Sequence, residues 1–309
     1  MGIYLNPGNK SFQISLNSKI YVDKSNLIAY TNSVINTEQR FVCVSRPRRF
    51  GKSMAASMLA AYYGLGTDSG QFEHLAIAKG ESYREHLNQY NVIFLNVQQF
   101  LSQTENIATL KELIEKTLLW ELLDEYSNLN YFNTSSLTSV LQTISSKMST
   151  DFIFIIDEWD CIFREYKNDT ESQRLYLDFI RNLLKDQPYV ALAYMTGILP
   201  IKKYGTHSAL NMFDEFSMTN PGPLAPFVGF TDQEVQNLCA EFQMDYEEIK
   251  RMYDGYTLLV HLGYLGYDYK TKEIFIPNSE IASEFCNAVE SAGWDNITAK
   301  GFSKSLLYR

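Results

Sequence analysis

The chain has 309 residues, of which 45% are hydrophobic and 20% charged, and it carries a formal net charge of −9. That length suffices for one large domain and a small second one, and the acidic balance (pI ≈ 5.1) excludes broad gripping of nucleic acid or anionic membranes. Its four cysteines, Cys43, Cys161, Cys239 and Cys286, lie far apart with no Cys-x-x-Cys pair, which argues against a zinc site or disulfide scaffold and suits a reducing cytoplasm.

Taken in chain order, residues 1–39 are polar and turn-rich and read as an N-terminal extension packing on the large domain. The opening Met1-Gly-Ile-Tyr-Leu-Asn6 lacks the basic and apolar regions of a signal peptide. No apolar stretch reaches membrane-spanning length, so a cytoplasmic protein is expected. A capped helix is expected after Asp23-Lys24-Ser25. The run beginning at Phe41 is a buried strand, and Met54–Tyr63 an amphipathic helix ending near Gly64.

Asn91–Val97 is a second strand, and Asn106–Tyr126 a long helix with Leu110, Leu113, Ile114, Thr117 and Leu118 on one face. Thr134–Met148 is another helix, followed by a strand over Phe152–Ile156. A helix over Glu171–Lys185 with Leu175, Leu177, Ile180, Leu183 and Leu184 then leads to a strand over Tyr189–Met195, ended by Thr196-Gly197. Strands alternating with helices predict an α/β fold, a mostly parallel sheet with helices on both faces. Aromatic residues make up 14% of the chain and read as core anchors, because a stacking platform would need interleaved basic residues.

Pro221-Gly-Pro-Leu-Ala-Pro226 breaks the alternation and marks a domain boundary. Helices are expected over Thr231–Phe242, Tyr246–Tyr253 and Thr257–Leu262, then a hairpin over Tyr264–Tyr269 and Glu273–Pro277. A last helix would reach Val289. Together, residues 225–309 read as a small winged-helix-like α+β domain. Its seven basic against thirteen acidic residues favour contact with protein, either a partner or a second copy, over contact with nucleic acid.

Two motifs carry chemistry. In Phe41-Val-Cys-Val-Ser-Arg-Pro-Arg-Arg-Phe-Gly-Lys-Ser53, strand, polar loop, Gly-Lys-Ser and helix follow in the order of a P-loop phosphate cradle. Helix-start N–H groups would bind phosphate, Lys52 would reach the β/γ-phosphates, and the Ser53 hydroxyl would hold Mg²⁺. The complete pattern asks for glycine where Arg46 stands, which leaves the loop shape open. The second motif, Asp151-Phe-Ile-Phe-Ile-Ile-Asp-Glu-Trp-Asp160, is a buried strand ending in carboxylates where α/β sheets bind ligands. Asp157 is expected to support Mg²⁺ and Glu158 to polarise the attacking water. The cofactors are thus ATP and Mg²⁺; no Asn-Lys-x-Asp guanine signature is present.

Arg46, Pro47, Arg48, Arg49, Phe50, Gly51, Lys52, Ser53 and Met54 form the expected cradle over residues 46–54. Its three arginines would contact phosphate or pair with the acids beyond Ile156. Asp160 would fix the loop after the acid strand or cap a helix. Arg164, Arg174 and Arg181 are candidates for an arginine finger acting in trans. Lys202, Lys203 and His207 would face the γ-phosphate or form a solvated loop, whereas His261 reads as a packed histidine.

These residues resemble the bacterial AAA-ATPase-like P-loop proteins, which commonly carry a PD-(D/E)XK nuclease-like domain at the C-terminus. The matching strings are Tyr21-Val-Asp-Lys24, Ser45-Arg-Pro-Arg-Arg-Phe-Gly-Lys-Ser53, Ile156-Asp-Glu-Trp-Asp160, Met195-Thr-Gly-Ile-Leu-Pro-Ile-Lys-Lys203, Tyr204-Gly-Thr-His-Ser-Ala-Leu-Asn211 and Met252-Tyr-Asp-Gly-Tyr256. They span roughly residues 20–260. The resemblance implies an ASCE-type P-loop ATPase domain over residues 40–220, makes Arg46 the usual form of the loop, and puts Thr196 where a polar sensor or a strand-end cap falls.

The chain departs from many relatives after Tyr256, and it stops at Arg309 where a nuclease domain would begin. Its one nearby Glu-x-Lys, Glu248-Ile-Lys250, lies in a predicted helix and reads as chance. The expected function is Mg²⁺-dependent ATP binding with hydrolysis that switches conformation. Two alternatives are a nucleotide-stabilised interaction module with negligible turnover and the ATPase part of a nucleic-acid-processing system.

Overall fold

The computed structural model describes residues 2–68, 70–201, 210–218, 220–252, 266–268 and 273–275. The chain divides into two compact units, Met1–Arg46 with Phe50–Phe230 and Pro47–Arg49 with Thr231–Arg309.

The first unit is built on five parallel strands: β1 (Phe41–Ser45), β2 (Asn91–Asn96), β3 (Phe152–Asp157), β4 (Val190–Gly197) and β5 (Asp214–Phe216). Their order is β2-β3-β4-β1-β5. The strand bearing the acids and the strand feeding the Gly-Lys-Ser loop are therefore separated by β4 alone. Every residue of β3 is buried, which accounts for its unbroken apolar run. Successive side chains point to opposite faces. Phe152, Phe154 and Ile156 enter one core cluster, while Ile153 and Ile155 enter the other.

One face is covered by α1 (Lys10–Leu16), α2 (Asn26–Val34) and α3 (Lys52–Tyr63). The opposite face carries α4 (Val97–Leu101), α5 (Ile107–Glu125), α6 (Leu137–Met148), α7 (Cys161–Glu165) and α8 (Thr170–Leu184). The parallel sheet with helices on both faces is thus as the alternation predicts. Burying each Leu, Ile, Val or Phe of these two clusters contributes about 1.5–3 kcal/mol.

Local differences from the sequence reading have physical causes. Leu175 faces solvent, 44% exposed, while Tyr176, Leu177, Phe179 and Ile180 form the buried stripe of α8. Ser136 caps α6 by accepting from the Ser139 N–H, so that helix starts after Thr134 and Ser135. The Asp23 and Ser25 side chains do not cap α2. They accept instead from the Ala76 and Ile77 N–H groups at 2.7 and 3.0 Å, tying down a 3₁₀ turn far along the chain.

The N-terminal segment adds to the outer edge of the sheet. Leu5 bridges Ile93 antiparallel, and the Asn6 side chain and backbone clasp Val92 at 2.8 and 2.7 Å. The buried Glu121 carboxylate of α5 accepts from the N–H groups of Ile3, Tyr4 and Leu5. Among the described residues, no helix is long and apolar enough to cross a membrane.

In the second unit, α9 (Asp232–Glu241) opens with a reciprocal Thr231/Glu234 capping box, and α10 (Tyr246–Met252) follows. Strands β6 (Gly266–Asp268) and β7 (Glu273–Phe275) pair antiparallel within the two predicted hairpin strands, whose remaining residues lie outside the described ones. The helices expected over 257–262 and 279–289 lie outside the described residues, as do Lys202, Lys203, His207 and His261.

Candidate functional site

The C-terminal ends of β1, β3 and β4 meet at one edge of the sheet, in register: Ser45 opposite Gly197, Val44 opposite Thr196, Ile156 opposite Met195. This is the edge where open α/β sheets bind ligands.

Beyond β1 the chain turns through residues 46–51 into α3. The left-handed positions of this turn are Arg49 (φ 70°) and Gly51 (φ 77°). Arg46 does not adopt a left-handed φ. The glycine missing from the complete motif is therefore not needed where Arg46 stands. The N-cap residue Gly51 makes no side-chain cap on α3, and the first turn holds no acid, so the helix dipole there favours an anion.

Lys52 is buried and donates from Nζ to the Arg46 carbonyl at 2.9 Å, closing the loop into a ring. Burial pushes its ammonium below the ordinary lysine range, while the charges of Glu158, Asp157 and Asp160 pull it back up. Lys52 and the acid strand thus share one field. Ser53 and Met54 are exposed on the first turn of α3.

Arg46 does not pair with the acids beyond Ile156. It is buried, and its guanidinium donates to the carbonyls of Ser45 (3.1 Å) and Phe216 (2.7 Å), stitching β5 to β1; desolvation lowers its pKa. Arg48 and Arg49 are exposed and, with Pro47, group with the second unit. Phe50 packs on Gly229, whose φ of 94° and contact at 2.8 Å from a would-be Cβ leave room for glycine alone.

Asp157 is buried at the end of β3 and accepts from the Thr196 hydroxyl and from the Glu158 N–H at 3.1 Å. Thr196 therefore ties the adjacent strand end to the acid. Glu158 is half-buried in a left-handed conformation (φ 55°), and its carboxylate pairs with the Arg164 guanidinium. A non-glycine residue held there costs about 1–2 kcal/mol.

Asp160 is not the side-chain helix cap that one of its two expected roles required. Its Oδ2 accepts from the N–H groups of Ile198 (3.0 Å) and Leu199 (2.8 Å) beyond β4. The Nε of Arg164 approaches the same oxygen at 3.5 Å. Arg174 and Arg181 are engaged on α8 with Glu171 and Asp178.

Sequence reading missed Glu215, on the short strand β5. Its Oε1 accepts from the Ser45 hydroxyl and the Ile201 N–H, both at 2.8 Å, so Asp160 and Glu215 together hold residues 198–201. Nothing in a three-residue strand advertises such an acid. For Arg164, the spacing of four residues from Asp160 on a helical stretch was the available signal.

The donor set suits a hard cation. The Ser53 hydroxyl and Asp157 carboxylate supply oxygen, and among the described residues no group of three or more His, Cys, Asp or Glu is placed to hold a metal alone. Such a set fits Mg²⁺, which keeps several waters and binds through one or two protein oxygens plus phosphate.

The family model described as "Predicted AAA-ATPase" matches residues 8–206. This chain belongs to the AAA-ATPase-like family. No curated protein matches this AAA-ATPase-like chain. Among solved structures, it is similar to the Aeropyrum pernix ORC2 protein, described in ADPNP–ADP complexes, with a TM-score of 0.37 and 9% identity. That match covers 75% of this chain and 54% of the other, so the chain spans about half that protein's length.

Proposed function

We propose that this chain is a Mg²⁺-dependent ATP-binding protein that hydrolyses ATP and uses the cycle as a conformational switch. The observation carrying this reading is the convergence of buried Lys52, at the open start of α3, with the Asp157–Thr196 pair and Glu158 one strand away.

The N–H groups from Gly51 onward would receive phosphate, and Lys52 would leave the Arg46 carbonyl for the β/γ-phosphates. Arg46, Pro47, Phe50 and Met54 would shape the loop, with Arg48 and Arg49 as its exposed cations. Ser53 and Asp157 would hold Mg²⁺, which supplies charge neutralisation at the phosphates. Glu158 would orient and deprotonate the attacking water, with Thr196 fixing Asp157 beside it. Hydrolysis then draws mainly on positioning and electrostatic stabilisation.

Residues 1–39 would serve as an extension of the ATPase domain over 40–220, and residues 225–309 as a winged-helix-like module contacting protein. The excess of acidic over basic residues in that module supports this against DNA binding. A second reading, a nucleotide-stabilised interaction module with negligible turnover, is supported by the Arg164 contact that occupies Glu158.

Phosphate release from Mg-ATP by wild type, Lys52→Ala and Glu158→Gln separates the two. Release by wild type alone supports hydrolysis. Equal background rates in all three remove the ATPase claim, and retained ATP binding by Glu158→Gln would then leave the interaction module.

A further inference from the structure

Two residues before Thr196 on β4, Tyr194 is fully buried, and its hydroxyl has no hydrogen-bond partner among the described residues. Other fully buried tyrosines are satisfied. Tyr62 donates to the Tyr83 carbonyl at 2.6 Å, Tyr63 to Asn32 Oδ1 at 2.7 Å and Tyr189 to the Leu183 carbonyl at 2.6 Å. Tyr176 shares the lack of a partner, but the charges around it are those of Cys161 and Asp160, on the segment after β3. A buried O–H without an acceptor costs stability, and phenylalanine would fill the same space without that cost.

The position of Tyr194 says what its hydroxyl could serve. Its ring packs in the core cluster on the α3 side of the sheet, opposite Ile155 of β3. Asp157 follows two residues later on the same face of β3. Diagonal neighbours of this kind lie on the order of 7–8 Å apart, within reach of an aromatic side chain. Desolvation and then the Asp157 charge push the Tyr194 phenol up, against the opposing charge of Arg46, so the oxygen keeps its proton and stays a donor. Asp157 meanwhile takes the Thr196 hydroxyl and the Glu158 N–H on the same oxygen, Oδ1.

We propose that Tyr194 is a positioning residue for the metal-binding carboxylate: its otherwise unpartnered hydroxyl donates to Asp157 when Mg-nucleotide is bound and fixes the orientation of that acid. The inference rests on the nucleotide-binding reading above. A carboxylate serving a metal is held in place by hydrogen bonds of its own, and Tyr194 supplies one from inside the core. The proton remains on the phenol oxygen, so the contribution is orientation alone.

The test measures binding of adenosine β,γ-imidotriphosphate over a range of Mg²⁺ concentrations and in EDTA, with denaturant unfolding of the same proteins without nucleotide. Tyr194→Phe should unfold at a midpoint no lower than that of wild type, because it loses no hydrogen bond. It should nevertheless need about tenfold more Mg²⁺ for half-maximal binding. Its affinity in EDTA should stay within about twofold of wild type, and in an Asp157→Ala background the same substitution should add less than about twofold.

A lower midpoint for Tyr194→Phe, an unchanged Mg²⁺ requirement, or equal weakening with and without Mg²⁺ overturns the assignment. So does a full further loss in the Asp157→Ala background; if Asp157→Ala does not fold, the single variant decides. Wild type that binds no nucleotide, or binds it equally with and without Mg²⁺, fails the parent reading, and the assignment falls with it.

Discussion

Lys52 illustrates how a residue can be costly to the fold and, on the proposed reading, required by the site. Its ammonium is buried against a carbonyl, with its proton affinity lowered by desolvation. Replacing it with the similarly sized apolar Met should change the stability of the nucleotide-free protein by less than about 2 kcal/mol. Denaturant unfolding would measure this, and nucleotide binding should be lost in the same variant. Gly197 makes the opposite case. A Cβ there would lie 2.5 Å from Trp159 Nε1 and 2.9 Å from Asp160 Oδ1, both fully buried. Gly197→Ala should therefore cost about 1–3 kcal/mol, read as a fall in the unfolding midpoint at unchanged slope. Burial also raises the Cys43 thiol well above its ordinary range and pushes Cys161 up to about 12. Alkylation at pH 8 should accordingly spare both in the native protein and reach them only on unfolding.

Among the elements, the N-terminal segment shows most clearly what patterning hides. The three N–H groups it presents to Glu121 are satisfied by one buried carboxylate from α5, more than a hundred residues away. Glu121→Ala should destabilise the protein by about 2–3 kcal/mol and speed hydrogen exchange at residues 3–6 before the rest of the sheet. An acid within a long amphipathic helix looks like a solvated position, so no periodicity could have disclosed this one. By contrast, β3 was legible because complete burial demands an unbroken apolar run, and α3 because Gly-Lys-Ser and the small-residue face come in direct succession. Strand β5 was not: three residues, Asp214–Phe216, carry no period, and pairing with β1 alone defines them. The site divides likewise. The placement of Lys52 at a helix start and of Asp157 and Thr196 at strand ends was readable from motif and pattern, whereas the partners of Arg46 and Asp160 depend on contacts between distant segments.

For the whole molecule, the strand order brings the Gly-Lys-Ser loop and acid strand to one edge with only β4 between them, so a ligand bound there would touch three strand ends at once. A ligand that binds the native state alone stabilises it by about 2.7 kcal/mol at a hundred times its dissociation constant. Mg-ATP should therefore raise the unfolding temperature of wild type by more than that of Lys52→Ala at the same concentration. The most direct measurement is calorimetric titration of Mg-ATP into wild type and into Lys52→Ala shown to be folded by circular dichroism. The account predicts saturable single-site binding by wild type and at least about tenfold weaker binding by the variant. Equal binding by the two proteins, or none by wild type, would contradict it.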